Sequence, residues 1–168
     1  MGDDLAARIL AASELHGDFV LSSGARSSVY FDKFRFLTDP TLLRELAAAV
    51  ADRLPEGVTH LAAPEGAATL LVAAVAIQTG LSVAVVRKQP KAYGTMELVE
   101  GTAPIGARFA LIEDVSTTGH QVLAAAKALE ERGAEVRVIV LAIDRGGADR
   151  LRDAGYRVES VASLRPES

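Results

Sequence analysis

Phe109-Ala110-Leu111-Ile112-Glu113-Asp114-Val115-Ser116-Thr117-Thr118-Gly119-His120-Gln121 is the stretch on which the reading of this chain turns. An apolar run stops on two adjacent carboxylates, a short Ser/Thr/Gly loop follows, and a helical pattern begins. Residues 109–112 read as a buried strand. In an open α/β sheet, ligands sit outside the carboxyl ends of the strands, which predicts Glu113 and Asp114 at the mouth of a site. The loop after them offers hydroxyls and backbone N–H groups at a helix N-terminus, a setting that favours phosphate. The plainer alternative is a strand–turn–helix with solvated acids. Two carboxylates side by side repel each other unless a ligand or counter-charge is present, which weighs against it.

Outward from this stretch, strand and helix patterns alternate. Residues 3–13 predict a first helix ended by His16-Gly17, with Leu5, Ile9 and Leu10 as its stripe. Residues 19–21 and 29–31 are short strand candidates around a Ser/Gly-rich turn. Asp39 and Pro40 open a second helix as N-cap and first helical residue, and Leu42, Leu43, Leu46, Val50 and Leu54 repeat at helical spacing. A strand over 60–63 leads through Pro64-Glu65-Gly66-Ala67-Ala68 into an apolar helix reaching Gly80. That junction is either a plain turn or a second anion site. Ser82 to Val86 is a strong buried strand, and 136–143 is another, followed by Asp144-Arg145-Gly146-Gly147. A short helix over 148–154, a last strand over 157–162 and a frayed tail from Arg165 complete the pattern. Strands separated by helices predict an α/β fold with a mostly parallel central sheet flanked by helices.

Arg87-Lys88-Gln89-Pro90-Lys91-Ala92-Tyr93-Gly94 places three cations in five residues of an acidic protein. It reads either as a solvated basic loop or as a mobile cover over a polyphosphate.

The 168 residues suffice for one domain over 1–168, and 49% hydrophobic with 24% charged residues describes a globular chain. A net charge of -4 disfavours a general nucleic-acid binder. With no cysteine there is no disulfide, thiolate metal site or cysteine nucleophile. The acidic start lacks a signal-peptide n-region, and the apolar stretch 67–77 is too short to span a bilayer. A soluble, cytoplasmic protein without a membrane or nucleic-acid partner is expected.

Residues 112–119 resemble the phosphoribosyl-diphosphate (PRPP) motif of the type I phosphoribosyltransferases. Two further segments resemble the orotate phosphoribosyltransferases within that family. One is Gly17, Phe19, Leu21, Ser23, Gly24, Ser27, Tyr30 and Asp32; the other is the basic loop with Arg87, Lys88, Lys91 and Tyr93. The resemblance implies the type I phosphoribosyltransferase fold, with a small N-terminal hood segment. It implies transfer of phosphoribose from PRPP to orotate, giving orotidine 5′-monophosphate and diphosphate in pyrimidine (UMP) biosynthesis, with Mg²⁺ as cofactor. It assigns catalysis to Lys91 and Asp114. PRPP falls to Arg87, Lys88, Tyr93, Glu113, Asp114, Ser116, Thr117, Thr118, Gly119, His120, Gln121, Glu65 and Gly66. Orotate falls to Arg145, Thr117, Phe31 and Arg26. The metal is expected to arrive with PRPP, with Asp114 as its one candidate protein contact. The resemblance further implies a homodimer that shares loop 87–94 across subunits. Ser22, Ala67, Ser116 and His120 stand where the family more often has other residues. They leave open a paralogue acting on another nucleobase, or a non-catalytic PRPP-binding regulator.

Overall fold

A computed structural model describes residues 2–21, 23–92, 94 and 97–164. The expectations placed on Ser22, Tyr93 and the tail from Arg165 lie outside them. The elements follow in the order α1 (Gly2–Ser13), β1 (Glu14–Val20), β2 (Arg26–Phe31), α2 (Phe34–Leu37), α3 (Pro40–Ala51), β3 (His60–Pro64), α4 (Ala68–Thr79), β4 (Ser82–Val86), β5 (Val99–Gly101), β6 (Arg108–Ser116), α5 (His120–Glu131), β7 (Glu135–Asp144), α6 (Gly147–Asp153) and β8 (Val158–Ser163).

Six strands form one sheet in the order β5-β4-β3-β6-β7-β8, parallel except for the edge strand β5. The chain moves outward from β3 to β4 and β5, then crosses back to lay β6 on the other side of β3. The order therefore reverses between β3 and β6, and the crevice beyond their carboxyl ends is where such a sheet takes ligands.

Both faces of the sheet are covered, so its strands are nearly continuously apolar. Leu61, Ala63, Ala110, Ile112, Val138 and Val140 pack with α1, α3 and α4. The alternate residues Ala62, Phe109, Leu111, Ile139 and Leu141 pack with α5 and α6. Asp39 caps α3 as expected, its carboxylate accepting from Thr41 and Leu42 N–H at 2.9 Å each. Such a cap is worth about 1 kcal/mol. No described helix is long and apolar enough to cross a membrane.

Three expectations change. The first helix ends at Ser13, not at His16-Gly17: Ser13 Oγ turns back to Ile9 O at 2.7 Å, and the chain passes directly into β1. β1 and β2 form an antiparallel hairpin with an irregularity between His16 and Phe19, so the expected turn is flanked by longer strands than the apolar residues alone suggest. His16, which had no evident partner in the sequence, lies 2.8 Å from Glu14 Oε1 through Nε2. Finally, β6 does not stop at Ile112. Pairing with β7 carries it through Glu113 and Asp114 to Ser116, which makes both acids strand residues.

Candidate active site

Three strand ends and one loop contribute the functional side chains. β6 brings Glu113 and Asp114, which are 7% and 1% exposed. Each carboxylate accepts the N–H of the next residue, Glu113 Oε1 from Asp114 at 3.1 Å and Asp114 Oδ1 from Val115 at 2.6 Å. Burial, and then the neighbouring Asp114 charge, push the Glu113 carboxyl up to about 8. The second oxygen of Asp114 faces Lys33, whose Nζ lies 2.9 Å away. Lys33 precedes α2, in a segment where the sequence offers no periodicity or motif to mark it. A buried acid pair in need of a cation was the one available signal.

Beyond β6, Gly119 turns with φ +75° and α5 begins without a side-chain cap. The first intrahelical bond at this end runs from Leu123 N–H to Gly119 O at 2.9 Å, so the N–H groups just before it have no intrahelical acceptor. Thr117, Thr118, His120 and Gln121 are exposed around these donors, at the positive end of the helix dipole. Ser116 differs from its neighbours. Its hydroxyl is buried without a hydrogen-bond partner among the described residues and packs against Gly147.

At the end of β3, Gly66 takes φ +113° and carries the turn into α4. Ala67 follows in an ordinary right-handed conformation with its methyl group buried, so the β-carbon at this position fits the fold. Glu65 does not point to an empty cradle. Its Oε1 accepts Lys88 N–H at 2.6 Å, and its Oε2 lies 3.7 Å from Arg87 Nη1. Lys91 Nζ lies 2.6 Å from Glu100 Oε1 on β5. The basic loop thus rests on two carboxylates. Glu65, Arg87, Lys88 and Lys91 line one open cleft of about 440 Å³. Arg87 and Lys88 also face His120 and Gln121 across a second cleft of about 370 Å³.

At the end of β7, Asp144 Oδ1 accepts the N–H groups of Gly146 and Ala148 at 2.9 and 3.1 Å, which starts α6. Arg145 N–H donates to Ser116 O at 2.8 Å, tying this loop to the end of β6. The Arg145 guanidinium carbon sits 5.2 Å from the centroid of the Phe31 ring. Phe31 and Arg145 line a third cleft, of about 500 Å³, with Glu14, Ser27, Tyr30 and Leu164. Arg26 does not line it. Its guanidinium lies 3.4 Å from Asp18 across the hairpin, and both side chains are exposed. His60, at the start of β3, is structural: Nδ1 is 2.9 Å from Thr59 Oγ1 and the ring tilts against Phe109.

A parallel sheet whose switch point holds a buried acid pair, an open helix N-terminus and a basic loop defines a protein built to take a phosphorylated sugar. The phosphoribosyl transferase domain model matches residues 37–163, and the chain belongs to that family. An orotate phosphoribosyltransferase of Methanopyrus kandleri is 44% identical over 147 residues, covering 86% of this chain and 79% of that protein. The orotate phosphoribosyltransferase of Mycobacterium tuberculosis, solved in complex with Fe(III) dicitrate, superposes with a TM-score of 0.86 at 28% identity, covering 97% of this chain and 96% of that one. The same enzyme solved in complex with PRPP gives a TM-score of 0.81 at 26% identity, covering 97% and 95%.

Proposed function

We infer that this protein is an enzyme that transfers phosphoribose from PRPP to orotate, giving orotidine 5′-monophosphate and diphosphate, a step of pyrimidine nucleotide synthesis. The observation that carries the reading is the run of β6 through the buried acids Glu113 and Asp114 into the open N-terminus of α5, opposite the basic loop. The acids suit the ribose hydroxyls, which donate to carboxylates. The backbone N–H groups around Thr117, Thr118 and Gly119, with His120 and Gln121 beside them, suit the 5′-phosphate. Arg87, Lys88 and Lys91 suit the diphosphate. Glu65 would serve the diphosphate indirectly, by holding Arg87 and Lys88 over Gly66. Arg145, backed by Phe31, suits the orotate carboxylate because a guanidinium fork matches two carboxylate oxygens.

In the reaction the bond between the anomeric carbon and the diphosphate oxygen breaks, the orotate ring nitrogen forms the new bond in its place, and the proton this nitrogen carried is released with the diphosphate. The developing positive charge on the ribose needs no covalent nucleophile. It needs nearby carboxylate, which Asp114 supplies, and a neutralised leaving group, which Lys88 and Lys91 supply. Closure of the basic loop would exclude water, whose attack on PRPP is the competing loss. Among the described residues no three His, Asp or Glu side chains converge. A Mg²⁺ ion arriving with PRPP would find the Asp114 carboxylate as its candidate protein contact. When bound, that ion supplies further neutralisation of the diphosphate. The reading includes a single catalytic domain in the cytoplasm and a homodimer sharing loop 87–94. The exposed Leu70 and Ile77 on α4 support the dimer as apolar surface for a partner.

The test is to mix the protein with Mg²⁺, PRPP and orotate and follow orotate absorbance. Loss of absorbance with release of diphosphate is expected. Turnover only with uracil or a purine would move the acceptor and keep the phosphoribosyl transfer. PRPP binding without turnover on any base would replace the enzyme by a regulator.

A further inference from the structure

The ribose acids have a resident counter-ion from outside the sheet. Asp114 Oδ1 is taken by Val115 N–H, and Asp114 Oδ2 has one ionic partner among the described residues, the ammonium of Lys33 at 2.9 Å. Lys33 itself is 40% exposed, whereas Asp114 is 1% exposed. Its place is set by the bonds of its neighbours. Asp32 N–H donates to Ser13 O at 2.9 Å, and Asp32 Oδ1 accepts Phe34 N–H at 3.1 Å. Phe36 and Leu37 then bury α2 in the core. Two residues before Lys33, Phe31 stacks on Arg145. One short segment of the hood therefore touches both the acceptor clamp and the ribose acids.

We propose that Lys33 is a positioning residue for the PRPP ribose: its ammonium fixes the Asp114 carboxylate, whose other oxygen is held by Val115 N–H, in the orientation to which the ribose 2′- and 3′-hydroxyls can donate. The inference rests on the reading of Glu113 and Asp114 as the ribose site. Without the ammonium, the buried Asp114 Oδ2 would keep no ionic partner among the described residues, and nothing would hold that oxygen toward the ribose. A lysine that merely braced the hood would affect PRPP and orotate alike. A lysine acting through Asp114 affects PRPP first. If Lys33 instead competed with ribose for the carboxylate, its removal would tighten PRPP binding.

The experiment compares the full-length protein with Lys33→Met and Lys33→Arg. Its readouts are PRPP binding by calorimetry in Mg²⁺ and the KM values for both substrates. Lys33→Met is expected to weaken PRPP binding and raise its KM about tenfold or more, with the orotate KM within about twofold and the circular dichroism unchanged. Lys33→Arg is expected to recover most of the PRPP affinity. Unchanged or tighter PRPP binding by Lys33→Met, or an equal loss for both substrates, overturns the proposal. Should Lys33→Met fail to fold, Lys33→Gln against Lys33→Arg gives the same comparison. A wild-type protein that binds PRPP but does not consume orotate overturns the acceptor assignment and leaves the Lys33 comparison to be decided by binding. A wild-type protein that does not bind PRPP overturns both.

Discussion

The guanidinium of Arg145 lies over the ring of Phe31, 5.2 Å from its centroid, and this contact joins the last residues of the hood hairpin to the loop after β7. The ring covers one face of the guanidinium, and the N–H fork along its edge is what the proposed orotate contact would use. Arg145→Lys keeps the charge and loses both the fork and the stacking. It is expected to lower kcat/KM for orotate by roughly ten- to a hundredfold, the equivalent of one charged hydrogen-bonded pair. The KM for PRPP should hardly move. Steady-state kinetics with each substrate varied in turn checks this; an equal loss on both substrates would sink the assignment of Arg145 to the acceptor.

Lys91 rests against Glu100 at 2.6 Å, both side chains half-buried at the edge of the sheet. A pair at that exposure contributes little to stability. Lys91→Ala should therefore shift Tm by no more than about 2–4 °C. If the ammonium neutralises the departing diphosphate, kcat should fall by about a hundredfold or more. Thermal melts and single-turnover rates separate the two effects. A variant that unfolds, or one with undiminished turnover, would show that the loop is structural.

Much of this arrangement was legible in the chain. β4 runs from Ser82 to Val86 as its unbroken apolar pattern predicts, and Asp39-Pro40 opens α3 as a cap and first residue. The acids after Ile112 hid the true end of β6, because a strand held by ladder pairing to β7 can carry charge that hydrophobic patterning counts as its end. β5 has three residues and α2 has four, too short for any period to show. Glu65 entered as a PRPP contact and Lys33 not at all, because their partners, the Lys88 backbone and Asp114, are brought in only by the folded topology. Arg26, given to orotate by the resemblance alone, lies 3.4 Å from Asp18 across the hairpin, a pairing that only the folded hairpin brings about.

Glu113 gives the ligand-free protein a particular pH dependence. Its ordinary value of 4.5 rises to about 8 in the fold, first through burial and then through the charge of Asp114, with Lys33 pulling the other way. The native state thus binds more protons at this site than the unfolded chain between those two values. The contribution to stability is full below about pH 4.5 and is lost progressively as pH rises through about 8. Glu113→Gln cannot titrate and should not lose this part of its stability. Melts of both proteins in steps from about pH 5 to about pH 8.5 test the difference, which should shift steadily in favour of the variant as pH rises. Parallel curves would mean that Glu113 carries no such shift.

Gly147 is the point where the loop after β7 and the loop after β6 touch. A β-carbon there would overlap Ser116 Oγ, lie 2.8 Å from Ser116 Cβ and stand 3.0 Å from Gly119 N. Gly119 is equally constrained, since its own β-carbon would meet Gly147 O at 2.7 Å. Neither loop can retreat easily, because Arg145 N–H is bonded to Ser116 O and Arg150 Nε to Thr118 O, each at 2.8 Å. Gly147→Ala is expected to destabilise the fold by about 1–3 kcal/mol, the usual range for overpacking. The strain falls on Ser116 and Gly119, so the KM for PRPP should rise more than that for orotate. Ser116→Gly in the same background removes both Ser116 atoms that the new methyl would strike and should recover part of the stability and of the PRPP affinity. Recovery of stability without recovery of PRPP affinity would show that the two loops are packed together but not coupled through this contact.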